Sequence, residues 1–482
     1  MAGVDEESQE LIYNIVSQPG LAYEGASVSY KQGLRGLLAG EADTLAVREI
    51  QYLQMRSEHA VRNNGYAKAA YDRYCTNLDA ITVTWKDAKG KSHKQMQAMW
   101  DEFADNPNLD GYGSLKTTQS IWNGSQFKTG AAYTRMHIRR DGNKNKVPLK
   151  LQPIPALLHD IGYMGKSHNE ITKYGITFED TKPVTYYFRK GLYEQAWLES
   201  NINYPQVAIP ANELLHMFIR ESPGQWIGIP FLSSVLLPLY EIDELTDATI
   251  AKQKAAQAIA WIIENTNPLA MTPTGSPVTA KDSSENNKVV FKAQGGSTQY
   301  LNKGEKIHFY QSTDIGANLP VLIRSELHKI AAALGIPYYQ LTGDTDGLDF
   351  SSIRALAIEL RTRIEYIHYF FTIPLGLLPL ALYFKDLAKL YNPKVANAIP
   401  DFQLPRYRGI DELKDIQADV LMVQNGMGTL EEVLEKRNSS YDKVMADREK
   451  IKEIGLTSLL DPTGAAMKQA NNTQANTNSS SN

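Results

Sequence analysis

A chain of 482 residues exceeds the size of a usual single hydrophobic core, so more than one domain is expected. Hydrophobic residues at 43% and charged residues at 22% are ordinary for a soluble globular protein. A net charge of −4 excludes the basic surface with which many proteins wrap nucleic acid. The one cysteine, Cys75, excludes an intrachain disulfide framework and a cysteine-cluster zinc site; it suits a reducing cytoplasm and reads as a buried thiol.

Residues 1–40 are Gly-punctuated and read as an arm or assembly contact. Their acidic start lacks the basic region of a signal peptide. Residues 41–76 read as helix, with Leu45, Ile50, Leu53, Val61 and Tyr71 on the apolar face. The β-branched, alternating run 78–85 predicts a strand, followed by a polar turn. Helical patterns cover 93–104 and 114–135, and 136–140 and 147–154 read as strands. Residues 175–179 with 183–189 predict a hairpin, and 207–218 a further short strand. This is an α+β domain. A long helical pattern follows over 231–264, with Leu239, Ile242, Leu245, Ile250, Ile259 and Ile263 on one broad face.

Residues 270–306 change character. They are rich in Ser, Thr, Asn, Gly and Lys, with strand candidates at 289–292 and 306–311. Five Lys, among them Lys288, Lys292, Lys303 and Lys306, face one Asp and two Glu. This is a small polar module between two helices. The second of these helices repeats Leu322, Ile323, Leu327, Ile330, Ala331 and Leu334 at helical steps and stops at Gly335 and Pro337. A further helix carries Ile353, Leu356, Leu360, Ile364 and Ile367, with Asp349 or Ser351 able to cap its start. Between them, Thr342, Gly343, Asp344, Asp346, Gly347 and Asp349 leave little to bury, so 342–350 reads as an exposed loop held by stiff helices. The apolar run 370–384 is shorter than the ~20 residues a membrane-spanning helix needs. Pro374, Gly376 and Pro379 interrupt it, so it reads as a buried connection and no membrane is expected. A strand at 399–404 and helices at 411–423, 430–436 and 441–454 follow. From Pro462 onward too few apolar groups offset the chain entropy, and disorder is expected.

Motifs for chemistry fail on spacing. Gly90-Lys91-Ser92 and Gly165-Lys166-Ser167 would need a glycine five residues earlier to cradle phosphate; Trp85 and Asp160 stand there. His159-Asp160 lacks further metal ligands around it. Glu365 and His368 have the spacing of a di-iron helix, but no partner carboxylate helix is found. The acidic loop has Asp349 and Ala355 where a calcium loop needs Gly and Glu. No catalytic residue, cofactor site or metal site is assigned.

The residues Gly316-Ala317-Asn318, then Ile330 through Tyr338, Leu341 through Asp344, and Phe350 through Arg354 resemble the portal (head–tail connector) proteins of tailed bacteriophages, in the lambda-like branch. The likeness extends to Arg62 through Ala67 and Tyr71 through Arg73, to Ile209-Pro210-Ala211, to Gly224-Gln225-Trp226-Ile227-Gly228-Ile229-Pro230, and to Asn425 through Thr429. It spans roughly 45–456 and implies the portal fold. That would give a wing over 1–230, a stem helix over 231–267, a clip over 268–318 and a second stem helix over 319–341. A tunnel loop over 342–350, a helix returning to the wing over 351–408, a crown over 409–460 and a tail over 461–482 would follow. The resemblance further implies a ring of twelve subunits at one capsid vertex, with a channel for double-stranded DNA. Terminase would dock during packaging and a head–tail adaptor afterwards, with major capsid and scaffold proteins around the ring. The chain would be made in the host bacterial cytoplasm and end in the virion, with no enzymatic role of its own. A DNA-processing enzyme and a cytoplasmic scaffold are the rival readings.

Overall fold

The computed structural model describes residues 42–139, 147–167, 170–190, 206–258, 262–265, 305–308, 318–405, 412–436 and 441–454. The chain is α+β, as read. The first helical stretch is two helices, α1 (Ala42–Asn63) and α2 (Gly65–Asn77), not one. Asn64 separates them: its extended backbone leaves the helix, and its side chain accepts from the Ala67 N–H to start the next. β1 (Thr82–Lys86) then runs to α3 (Lys94–Asp105) and α4 (Leu115–Thr129).

The helix read over 114–135 ends early. Gly130, in the left-handed conformation with φ of 82°, closes α4, and β2 (Ala131–Ile138) begins at once. The misreading has a cause: β2 is buried on both faces. Ala132 and Met136 face the main core, while Ala131 and Tyr133 face a second one. A strand covered on both sides loses its period of two. β2 is the middle of a three-stranded antiparallel sheet with β3 (Leu149–Ile154) and β9 (Leu214–Phe218). Trp122 of α4 ties the sheet down, its Nε1 donating to Thr134 Oγ1 at 2.8 Å.

A five-stranded antiparallel sheet covers the other face. Its order is β4 (Gly165–Ser167), β5 (Glu170–Lys173), β6 (Ile176–Glu179), β7 (Lys182–Arg189) and β8 (Gln206–Pro210). The expected hairpin is β6–β7. The single strand read over 207–218 is two, β8 and β9, which a short turn at Ala211–Glu213 sends to different sheets.

Two histidines lie between the sheets. The His159 ring nitrogen Nδ1 is 3.0 Å from the Tyr133 hydroxyl, and Tyr133 stacks on His216 with centroids 4.6 Å apart. Burial holds His159 down to about 4 and His216 well below its ordinary range. Both are therefore neutral in the fold and take up a proton on unfolding below the ordinary imidazole value of about 6.5. Their contribution is complete above that value and is lost as pH falls through it towards 4. Melting temperature is expected to drop between pH 7 and pH 5, at up to about 1.4 kcal/mol per pH unit for each proton taken up. His159→Asn should flatten that slope, measured by thermal melts in matched buffers. An unchanged slope would remove His159 from the account.

The main core joins α1–α4 to the C-terminal half. Trp100 of α3 meets Phe384 edge-on at 5.1 Å and Trp85 at 5.7 Å. Phe384 belongs to a helical run that crosses the expected breaks. α8 (Phe350–Ile367) continues into a wide-turn segment, His368–Leu377, and then into α9 (Leu378–Tyr391). Pro374 has no N–H to give, and the Leu378 N–H reaches back five residues to the Ile373 carbonyl, so the proline is absorbed by a wider turn rather than a break. The stretch Phe350–Tyr391 is long and apolar enough to cross a membrane by composition, but half of its most apolar window is buried inside the protein. Phe371, Leu377, Leu380, Ala381 and Phe384 are fully buried, as a core connection requires. β12 (Ile399–Gln403) then returns to pair antiparallel with β1. The helices α10 (Glu412–Gln424), α11 (Leu430–Lys436) and α12 (Tyr441–Glu453) follow the sequence reading closely.

The helix read over 231–264 is shorter. α5 spans Leu236–Ala258, and β10 (Ile262–Asn265) is a strand paired antiparallel with β11 (Glu305–His308). The β-branched Ile262-Ile263 pair closes the base of the polar insert in place of a last helical turn. The N-terminal arm, the strand expected at 289–292, Lys288, Lys292, Lys303 and the tail after 461 lie outside the described residues. Lys306 is in β11, opposite Glu264.

Candidate functional site

The loop 342–350 is held by a sequence of caps. α6 (Asn318–Leu334) ends where Gly335, with φ of 57°, donates to the Ala332 carbonyl and Ile336 donates to that of Ala331. This pairing satisfies the last carbonyls of the helix and needs a left-handed residue. The Arg363 guanidinium packs where a Cβ of residue 335 would lie. Pro337 then starts a short helix, α7 (Tyr338–Thr342), which Gly343 closes.

Beyond Gly343 the loop is pinned by its own polar groups. Asp344 Oδ1 accepts from the Asp346 N–H at 2.9 Å, and the Asp344 N–H donates to Thr342 Oγ1 at 3.2 Å. Gly347 carries the chain to Leu348, whose N–H donates to the Thr345 carbonyl. Asp349, not Ser351, caps α8: its Oδ1 accepts from the Ser352 N–H at 2.8 Å, and its Oδ2 accepts from the Ser351 hydroxyl. These bonds to the charged form hold Asp349 down to about 2, and the Asp346 N–H, foremost, lowers Asp344 as well.

The residue that organises the acidic loop was not singled out in the sequence. Arg324 of α6 reaches Asp344 Oδ2 at 3.2 Å, Asp346 Oδ2 at 3.5 Å and the Asp346 carbonyl at 3.1 Å. Tyr338 completes the set: its hydroxyl donates to Asp344 Oδ2 at 3.3 Å, its ring stacks on His328 at 3.8 Å, and Arg324 lies over it at 5.8 Å. Arg324 and His328 are one helical turn apart on α6, beside the apolar positions Leu327 and Ala331, and that pairing of polar groups was the available signal. Its target could not be read, because it depends on the path of the chain through α7. Of the six loop residues proposed from sequence, Asp344 and Asp346 meet at Arg324, Asp349 serves the helix cap, and Thr342, Gly343 and Gly347 shape the turn.

The discounted motifs sit in structural roles. Gly90-Lys91-Ser92 follows a turn in which Asp87 Oδ1 accepts from Lys89 and Lys91 N–H groups. Gly165-Lys166-Ser167 is edge strand β4. Asp160 pairs with Arg189 at 3.0 Å. No group of three His, Cys, Asp or Glu side chains among the described residues is placed to hold a metal ion.

The model of the lambda family of phage portal proteins matches residues 35–368. The probable portal protein of Halomonas phage phiHAP-1 is 22% identical over 345 residues, covering 69% of this chain and 65% of that protein. The portal protein of Escherichia phage N15 is 19% identical over 476 residues, covering 88% and 89%. Among solved structures, a chain from the virion of a native gene transfer agent particle has a TM-score of 0.47 at 12% identity, covering 79% of this chain and 90% of that one. A chain from the neck of the native particle, computed with C12 symmetry, has a TM-score of 0.46 at 12% identity, covering 83% and 93%. Because the family match takes in the first helices, both sheets, α6, the acidic loop and α8, the chain belongs to the lambda family of phage portal proteins, structural and non-enzymatic components of phage heads.

Proposed function

We propose that the chain is the subunit of a closed ring of twelve at one capsid vertex, with a central channel for double-stranded DNA. Residues 1–230 serve as wing, 231–267 and 319–341 as stem, 268–318 as clip, 342–350 as tunnel loop, 351–408 as the return to the wing and 409–460 as crown. Terminase docks during packaging, and a head–tail adaptor replaces it. Capsid and scaffold proteins surround the ring. The chain is made in the host cytoplasm and ends in the virion. The observation that carries this reading is the family match over 35–368, which includes the capped helix–loop–helix. A loop fixed at both ends by helix caps and bearing three carboxylates suits a surface past which phosphate slides without being held.

The test is assembly. Purified protein should form closed rings in negatively stained images, with a mass by light scattering many times the 53.9 kDa of the chain. Monomer at every salt concentration would overturn it. The polar insert supplies a further expectation. Changing Lys288, Lys292 and Lys303 to Glu should leave rings intact and weaken terminase binding about tenfold at low salt, with the difference shrinking as salt rises. Equal binding at low salt would remove the electrostatic part of the docking proposal.

A further inference from the structure

α8 is eighteen residues long, yet only Ile364 and Ile367, near its C-terminal end, are buried. It packs most closely on its own continuation. Along one side, Leu356, Leu360, Arg363 and Tyr366 line an open groove of about 1260 Å³; α6 lines the opposite side, and Asp344 and Asp346 of the acidic loop and Phe231 line it too. That is larger than the roughly 300–1,000 Å³ of small-ligand sites, so a segment of protein fits it better than a metabolite.

The lining mixes acids and cations, and Arg363 is the group that narrows the occupant. The Arg363 guanidinium is half-buried, rests over the Phe231 ring at 5.2 Å and makes no ion pair among the described residues. Glu359, one turn before it, also lines the groove but makes no ion pair with it. A half-buried cation without an anion is a standing cost that an arriving carboxylate relieves. The matching surface lies on the other side of the same helix. At 100° per residue, Ile358 and Glu365 share a ridge of α8 facing away from Leu360 and Arg363, and Tyr369 follows in the wide-turn segment. Ile358 is 54% exposed and Tyr369 is 59% exposed. Glu365 has no cationic partner among the described residues. A groove and its complement on opposite sides of one helix describe a head-to-tail contact, in which each copy offers both surfaces.

We propose that this groove receives the ridge of α8 from a second copy of the chain, with Glu365 of the partner subunit seated against Arg363. The proposal rests on the ring reading above and names one of its contacts. A photo-crosslinking residue at Leu360 in assembled protein should give a ladder of covalent multimers. Crosslinks confined to one chain, or none, in preparations where rings are visible would overturn the contact and leave the ring reading standing. Monomeric wild-type protein would instead remove the ring reading itself. Arg363→Glu and Glu365→Arg should each lower the fraction in rings by about tenfold at low protein concentration, and the double exchange should recover it to within about twofold. A double variant no better than the singles would overturn the pairing.

Discussion

Converting Asp344, Asp346 and Asp349 together to Asn is expected to leave ring assembly intact and melting within about 2 °C of wild type, while changing packaged DNA length or retention by roughly an order of magnitude. The three carboxylates have different local duties, and each is one that Asn can bear or whose loss is cheap. Asn is as good a helix cap as Asp, so position 349 keeps its bond from the Ser352 N–H. At position 344 the new amide retains an oxygen for the backbone N–H two residues on. What disappears is the attraction to Arg324, and exposed pairs of this kind contribute little to stability. In the proposed ring the functional consequence is larger, because it repeats in every subunit. Each subunit loses three negative charges, and its Arg324 is freed from two carboxylates. A guanidinium released beside a phosphate backbone is a binding group, and binding adds friction to a chain that must slide. Arg324→Gln separates the two effects, since it frees the loop without removing its charge. If the triple variant fails to assemble, and packaging is lost only for that reason, the loop is a structural element and its assignment to the channel is wrong.

The elements that could be read from sequence are those whose burial is one-sided and whose ends are chemically marked. α6 shows apolar residues at three- and four-residue steps, then Gly335 and Pro337; its end in the structure agrees. α10 and α11 were legible because the turn at Gly426 and Gly428 divides them; of the described residues in α10, α11 and α12 only Val433 is buried. The end of β2 is legible as strand over 136–140, but its first part reads as helix, because sheet covers one face and helix the other and its sequence carries no alternation. The long helix through Pro374 was read as interrupted because a proline costs a hydrogen bond in a regular helix; the wide turn removes that cost. β10 was absorbed into α5 because its partner, β11, lies on the far side of the insert. The site divides similarly. The acidic loop and its caps were visible as composition, whereas Arg324 was not, because a lone cation on a helix acquires meaning only when a later segment folds back to it.

Gly130→Ala should be among the most damaging single-methyl changes in the protein, lowering stability by roughly 2–4 kcal/mol and melting by roughly 5–10 °C. Two costs combine. The left-handed backbone at 130 is unfavourable for any residue with a Cβ. The added carbon would also press into the backbone of Gly228 and Ile229, where no flexible side chain can move aside. Gly228→Ala meets the same obstacle from the other side, since its Cβ would strike the Gly130 carbonyl and the Phe218 Cβ. This crossing explains physically why the segment Gly224–Pro230 looks as it does. Gln225 turns the chain, its Oε1 accepting from the Glu221 and Ser222 N–H groups and its Nε2 donating to the Ile227 carbonyl. Trp226 lies under the Arg220 guanidinium at 4.8 Å. Gly228 then slips past the corner between α4 and β2, and the Phe231 N–H donates to the Phe127 carbonyl at 3.0 Å. The crossing therefore fixes where the chain leaves the sheets for α5, so both variants should lose ring assembly together with stability. Gly65→Ala, in open space at the start of α2, is the matched control and should be neutral. Thermal melts and light scattering on the three proteins decide the matter: Gly130→Ala melting alongside Gly65→Ala would mean the crossing is looser than its geometry implies.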